Sequence, residues 1–552
     1  MDDHRAGRLD EAALGYRRVL EHEPHHADAL YLLGLIEFKR GKADSAAQWI
    51  RQAIDIHPSP MFLGSLGNVL SAMDDAAGAE AAYRRVIELN PDDVDANLKL
   101  GVLLTNARRW DEGEALLRHA LALDPARAGS YRHLGRSLVL QRRFAEAEPL
   151  IRRAIELRPD DARTHAGLAA ALVSQGRDDE AQRACTTALA IDPQCVDALV
   201  NQGLIQLNAS RLSEAEHALR AALEVDAGHA IAQFNLSAVL LKEGRYEEGW
   251  RLYEARLAPD VRVDQPLDGN RSEWHGEPLQ GKSIVVLCEQ GFGDMLQFCR
   301  YLPMLWRLGP ARLTIVCPAS LTRLLETMDG APSWVLTSDR HDAVDHDFWC
   351  ALMSLPLRFG TTLQSIPAAS PYLKAPEAAL RRWRAWLPSG GFKVGLVWAG
   401  DSRIRQADAR IVDRRRSLHA HDFAPLLKVA GATFVSLQLG RLSRPQIEAI
   451  DPQWRPLDPM GEVADFADTA AIVQCLDLVI AVDTSTAHLA GALNCPVWIL
   501  SRFDGCWRWL EHRDDSPWYP SARLFRQRSA GDWTEVVERV TQALHERLAS
   551  GA

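Results

Sequence analysis

Prolines recur at Pro24, Pro58, Pro91, Pro125, Pro159 and Pro193, at intervals of 33 or 34 residues. Small residues keep the same beat at Gly34, Gly67, Gly101, Gly135, Ala169, Gly203 and Ser237, and again at Ala46, Ala79, Ala147, Ala181 and Ala215. A fixed period of this length means that one structural unit is copied along the chain. Within one copy, Tyr131 to Asp160, apolar residues fall twice at helical spacing around a polar break near Gln141 to Arg143. Each copy therefore predicts two packed helices. The small positions let the two helices approach closely, and proline stops a helix whose continuation through it would cost about 3 kcal/mol.

This pattern resembles the tetratricopeptide repeat over residues 1–257, in about seven units. It is imperfect at both ends: the chain opens at what reads as the second helix of a pair, Asp10 to Glu21, and Ala227 stands where the interval predicts proline. Such arrays bury a core only between neighbours and offer a long concave face, which predicts a protein or peptide partner rather than a mere spacer.

After Leu257 the composition changes: of 16 tryptophans only Trp49, Trp110 and Trp250 lie earlier. A connector assigned to 258–280 begins with the Pro/Asp/Gly-rich stretch Ala258 to Asn270; it carries few apolar anchors, which predicts independent cores on its two sides. Beyond it, short apolar runs alternate with helical patterns at 282–288, 312–317, 393–400, 432–438, 476–483 and 496–500. Strands buried on both faces and interleaved with helices predict two doubly wound α/β domains, at 281–390 and 391–552. Ligands of such sheets bind beyond the strand C-termini.

Three stretches fall at those strand ends. Gly291-Phe292-Gly293-Asp294 follows the first strand, and Asp294 reads either as a carboxylate at the cleft edge or as an ordinary helix cap. After Trp398-Ala399-Gly400 comes a basic run containing Arg403, Arg405, Arg410, Arg414, Arg415 and Arg416, which reads as a diphosphate contact or as a solvated loop. The third is Asp483-Thr484-Ser485-Thr486, where an apolar strand meets a helix. Free first-turn amides, hydroxyls and the helix dipole converge there on an anion, and Asp483 can accept from sugar hydroxyls. Asp345-His346-Asp347 superficially offers a metal-binding pair, but its place before an apolar run, away from the third stretch, reads as structural. Trp507-Arg508-Trp509 and Ser516 to Gln527 follow the last apolar run and read either as lining of the cleft or, in preference, as aromatic packing.

Gly-Phe-Gly-Asp and Asp-Thr-Ser-Thr-Ala-His-Leu-Ala together resemble the heptosyltransferase-like (family 9-like) glycosyltransferases of the GT-B fold, over about 280 to 545. With the repeats, the architecture is similar to protein O-GlcNAc transferase and to TPR-bearing flagellin glycosyltransferases. The resemblance implies two Rossmann-like domains, acceptor-side and then donor-binding, with Asp294 as catalytic base. It implies donor sugar and diphosphate contacts from Asp483, Thr484, Ser485, Thr486 and His488, from Gly291 and Gly293, and from Arg403 or Arg405. His488 also reads as a packing residue, and Ser485 stands where the family has glycine. The co-substrate implied is a nucleotide-diphosphate sugar, with no metal or other cofactor. The acceptor implied is a protein, such as flagellin or another surface protein, held by the repeats. The alternative is a non-catalytic scaffold that binds a nucleotide or sugar phosphate.

Charge and cysteines narrow the setting. A net charge of -10 over 552 residues offers no footprint for nucleic acid. No apolar run reaches membrane-spanning length, the N-terminus lacks a signal-peptide pattern, and nine scattered cysteines without a Cys-x-x-Cys pair fit reduced thiols, so a cytoplasmic protein is expected.

Overall fold

The computed structural model describes residues 8–258, 261, 272–338, 346–400 and 413–550. The chain divides into two compact units, one ending at Ala198 and one beginning at Leu199. Among the described residues no helix is long and apolar enough to cross a membrane.

In the first unit, a leading helix, Leu9–His22, precedes helix pairs such as Ala128–Leu140 with Phe144–Leu157. The glycine beat has the expected steric cause: a Cβ on Gly135 would lie 2.5 Å from Ile151 Cγ1. The prolines sit in the turns between pairs, and the carbonyl of Pro91 accepts from Asn97 Nδ2 at 2.8 Å. In the second unit Ala227 keeps that turn without proline, its carbonyl accepting from Gln233 Nε2 at 2.7 Å.

A ladder of ion pairs repeats with the same period. Glu80 meets Arg109 at 2.6 Å, Glu114 meets Arg143 at 2.5 Å and Glu148 meets Arg177 at 2.8 Å, each arginine also holding a second glutamate three residues on. Against the opposing effect of burial, hydrogen bonds from Arg109 and Arg84 hold Glu80, those from Arg118 and Arg143 hold Glu114, and those from Arg152 and Arg177 hold Glu148 below the usual carboxylate range. Exposed pairs contribute little singly, so the ladder specifies how neighbouring pairs align more than it stabilises them.

The second unit begins with the remaining repeats, ending in α1 (Ala230–Lys242) and α2 (Tyr246–Tyr253), and continues into two sheets. The first contains β1 (Ser272–Glu273), β2 (Ser283–Leu287), β3 (Arg312–Val316), β4 (Val335–Thr337) and β5 (Phe348–Ala351), in the order β1-β5-β2-β3-β4. The second contains β6 (Phe392–Val397), β7 (Ala432–Ser436), β8 (Leu478–Val482), β9 (Val497–Ser501) and β10 (Ala522–Arg526), in the order β10-β9-β8-β6-β7. All pairings between these strands are parallel. In the first sheet the chain runs outward from β2 through β3 to β4 and resumes at β5 on the other side of β2, with β1 at the edge beside β5; in the second it runs from β6 to β7 and resumes at β8 on the other side of β6. The winding reverses between β2 and β5 in one sheet and between β6 and β8 in the other, and such switch points leave a crevice at the strand C-termini.

The expectation of independent cores beyond the repeats is overturned. Leu241, Tyr246, Trp250 and Tyr253 belong to one buried cluster with Phe298, Trp507 and Trp518. Trp250 meets Trp507 edge-on at 5.3 Å and Phe298 at 6.1 Å between ring centroids, and Trp518 Nε1 donates to Tyr246 Oη at 3.0 Å. Lys242, buried, pairs with Glu511 at 2.6 Å, and Arg256 pairs with Glu289 at 2.8 Å. The anchors lie on α2 itself rather than in the connector, so the last repeat and the sheets form one body. Trp250→Ala is therefore expected to cost about 3–5 kcal/mol, the scale for emptying a buried aromatic site. Urea unfolding followed by circular dichroism checks this, and a loss under about 1 kcal/mol would mean that the shared core contributes little.

Candidate functional site

The switch point of the second sheet holds one of the buried polar side-chain atoms that lack a partner among the described residues, Thr484 Oγ1. At the end of β6, the amides of Trp398 and Ala399 both donate to Gln438 Oε1, at 3.0 and 2.9 Å, and Gln438 Nε2 returns a bond to the Ala399 carbonyl at 2.9 Å. This buried side chain locks the strand end. A Cβ on Gly400 would overlap Asp413 and Arg416, so glycine alone lets these side chains cross the backbone there. Arg416 Nη1 then donates to the Asp483 carbonyl at 2.9 Å, spanning from the segment after β6 to the end of β8.

At that end the helix α4 (Ser485–Ala492) begins, with Thr484 in extended conformation as its N-cap. Thr484 makes no side-chain capping bond, and its Oγ1 is buried without a partner. The amides of Ser485 and Thr486 stand in the first turn, where no intrahelical acceptor exists. A buried hydroxyl without a partner costs about 1–3 kcal/mol.

The switch point of the first sheet contributes the helix α3 (Phe292–Phe298), entered through Gln290 at φ 69°. Asp294 Oδ2 accepts from the Gly291 amide at 2.9 Å, which is capping. Its Oδ1 accepts from Arg508 Nη2, so both carboxylate oxygens are engaged. Arg508 is buried, donates to Gln297 Oε1 at 2.6 Å and lies 4.3 Å from the Trp507 ring centre. Trp507 and Trp509 are indeed packing residues, as expected, but the arginine between them is the charged partner of Asp294.

Gly293 and His488 join the two switch points. A Cβ on Gly293 would come within 2.8 Å of His488 Cδ2, so glycine here lets α3 lie against α4. His488 Nδ1 bonds Tyr519 Oη at 2.9 Å, the ring stacks on Trp509 at 5.3 Å, and Nε2 lies 3.7 Å from Asp483 Oδ1. Burial drives its pKa down to about 4 despite Asp483, so the ring is neutral near pH 7. Its packing is explicit in the structure; its nearness to Asp483 also puts it at the edge of the candidate site.

Of the basic run, Arg403, Arg405 and Arg410 lie outside the described residues, as does Asp345. Arg415 pairs with Asp504 at 3.3 Å, and Arg416 is the one that reaches Asp483. Asp347 is held by the Ser283 amide at 2.8 Å and by Lys282 at 3.1 Å, which lowers its pKa to about 2. It pins the starts of β2 and β5, at the edge of the sheet opposite the strand C-termini. Sequence reasoning missed Gln438, and although it placed Arg508 and Tyr519 in stretches that line the cleft or pack, it did not foresee the bonds of Arg508 to Asp294 and of Tyr519 to His488.

Residues 4–59 and 200–261 match one tetratricopeptide repeat family, and 70–134 and 138–202 match a second. The helical part of the chain is a tetratricopeptide repeat array. Protein FlbA of Caulobacter vibrioides is 28% identical over 327 residues, 55% of this chain and 53% of that protein. This chain thus spans about half the length of that relative. A CTR9 homolog of Arabidopsis thaliana is 29% identical over 99 residues, covering 18% of this chain and 9% of that protein. Among solved structures, YrrB, described as a TPR protein with an unusual peptide-binding site, is 23% identical, with a TM-score of 0.28, over 34% of this chain and 96% of that one. The Cut9–Hcn1 hetero-tetramer of the APC/C is 17% identical, with a TM-score of 0.38, over 43% of this chain and 47% of that one.

The His488 geometry fixes a pH dependence. Unfolded histidine takes up a proton near pH 6.5, whereas the folded ring resists it until about pH 4. The unfolded state binds more protons in that window, so stability is full above it and falls as pH drops through it. The melting temperature of His488→Gln is expected to decline less than that of the unaltered protein between pH 7 and about 4.5. Parallel declines would show that His488 does not carry this dependence.

Proposed function

We propose that the sheet region is a glycosyltransferase of GT-B type, moving a sugar from a nucleotide-diphosphate donor to a hydroxyl of a protein held by the repeat array. The observation that carries the reading is the unpartnered, buried Thr484 Oγ1 at the start of α4, beside free first-turn amides and Arg416 at a sheet switch point. Diphosphate is the ligand whose charge and oxygens suit that set. The resemblance of the two motifs to heptosyltransferase-like enzymes supports the same assignment.

In this reading the acceptor oxygen bonds to the anomeric carbon as the bond from that carbon to the diphosphate oxygen breaks. The leaving charge is met by the α4 amides, the Thr484 hydroxyl and Arg416, with no metal called for. Asp294 takes the acceptor proton, and Asp483 holds donor hydroxyls. Proton transfer requires Asp294 to loosen one of its two bonds, to the Gly291 amide or to Arg508.

That same engagement favours a second reading. A carboxylate already held by Gly291 and Arg508 suits a scaffold that binds a nucleotide or sugar phosphate without transferring it. Release of nucleoside diphosphate from a panel of nucleotide sugars, with purified protein and candidate acceptors, separates the two. Transferase action predicts acceptor-dependent release from at least one donor. Calorimetric binding of a donor with no release under any acceptor would establish the scaffold. Thr484→Val should weaken donor binding by about tenfold, the value of one hydrogen bond to a charged group, while leaving the unliganded protein at least as stable. A Thr484→Val protein that binds every donor as tightly as the parent would remove this hydroxyl from the site.

A further inference from the structure

The repeat pattern is broken in the copy whose small position is Gly203. In five other copies the residues one before and three after that position are both buried leucines, as at Leu66 and Leu70, Leu100 and Leu104, or Leu236 and Leu240. On helix Val196–Asn208 they are Gln202 and Gln206. Together with Ser213, Glu214, His217 and Ala218 of helix Leu212–Val225, the two glutamines line a cavity of about 440 Å³. Its lining comes from both helices of one pair, not from a row of first helices.

The ion-pair ladder changes at the same place. Arg109, Arg143, Arg177 and Arg245 each hold the glutamate three residues on, Glu112, Glu146, Glu180 and Glu248, at 2.6 to 3.1 Å. Arg211 is the corresponding arginine here and Glu214 lies three residues on, but Arg211 Nη1 donates to Gln206 Oε1 at 3.3 Å instead. Among the described residues Gln202, Ser213, Glu214 and His217 have no hydrogen-bond or ion-pair partner. Two leucines exchanged for glutamines and one opened pair therefore converge on a single hollow with a free carboxylate.

We propose that this cavity receives an arginine side chain of a partner protein, its guanidinium paired with the Glu214 carboxylate and its remaining N–H groups given to Gln202 and Ser213. No lysine or arginine of the chain lines the cavity, so an incoming anion would meet an unanswered carboxylate, and an apolar group would strand the polar lining. A planar fork of donors matches a carboxylate flanked by carboxamide and hydroxyl oxygens. The inference concerns the partner rather than the transfer chemistry, and its test uses no sugar donor, so the failure of either leaves the other standing.

The test is fluorescence anisotropy of a labelled nine-residue Gly/Ser peptide carrying two arginines, with the full chain. The control peptide carries citrulline, which keeps the shape of arginine without its charge. The arginine peptide should bind at least about tenfold more tightly than the citrulline peptide and weaken with added salt. Glu214→Gln should lose about tenfold in affinity for the arginine peptide. Gln202→Leu, Gln206→Leu restores the residues of the other copies, so it should lose the binding while melting no lower than the parent. Glu156→Gln removes one acidic charge from an exposed pair with Arg153 in another copy and should bind as the parent does, which separates the cavity from the net charge of -10. Equal binding of the two peptides, parent-like affinity in Glu214→Gln, or an equal loss in Glu156→Gln would overturn the proposal.

Discussion

A guanidinium taken out of water must be answered by charge and by acceptors, and Arg508 is the group on which the sheet region turns. It is 8% exposed and is met by Asp294 and Gln297 from α3, by Cys506 and by the face of Trp507. Removing one member of such a buried pair costs about 3–5 kcal/mol, because the remaining charge is stranded. The same contacts fix the loop after β9 to the first helix of the other sheet. Trp507 in turn packs on Trp250, so the last repeat is held to the same knot. The candidate site, the sheet packing and the end of the repeats are thus set by one cluster of charge and aromatic surface.

This arrangement separates positions where polarity is spent from positions where it is left over. Gln438 uses its amide oxygen and nitrogen to lock the end of β6, Asp347 is consumed by the starts of two strands, and the ladder glutamates are matched to arginines. Thr484 Oγ1 is buried and unmatched, beside amides that their own helix leaves without an acceptor. Asp294 belongs to the first group, because both of its carboxylate oxygens are engaged.

What was legible in the sequence is what local pattern controls. The 34-residue beat reports helix–helix contacts that only small residues allow, and Gly135 against Ile151 bears this out. Six apolar runs became β2, β3, β6, β7, β8 and β9, because strands buried on both faces leave an unbroken apolar signature. β10 was hidden inside a stretch read as aromatic packing, and β1, two residues long, has no pattern to find. The motifs at Asp294 and Asp483 were visible because switch-point loops follow strands directly. Arg508, Tyr519 and the shared core around Trp250 were not, since each depends on partners 31 to more than 200 residues away in sequence.

The central claim is that the start of α4 is an anion cradle completed by a nucleoside diphosphate. Amide hydrogen exchange with and without nucleoside diphosphates tests it at the atoms concerned. The account predicts slowed exchange for the amides of Ser485 and Thr486, where a bound phosphate supplies the missing acceptors. Protection confined to other segments, with those two amides unchanged under saturating ligand, would contradict it.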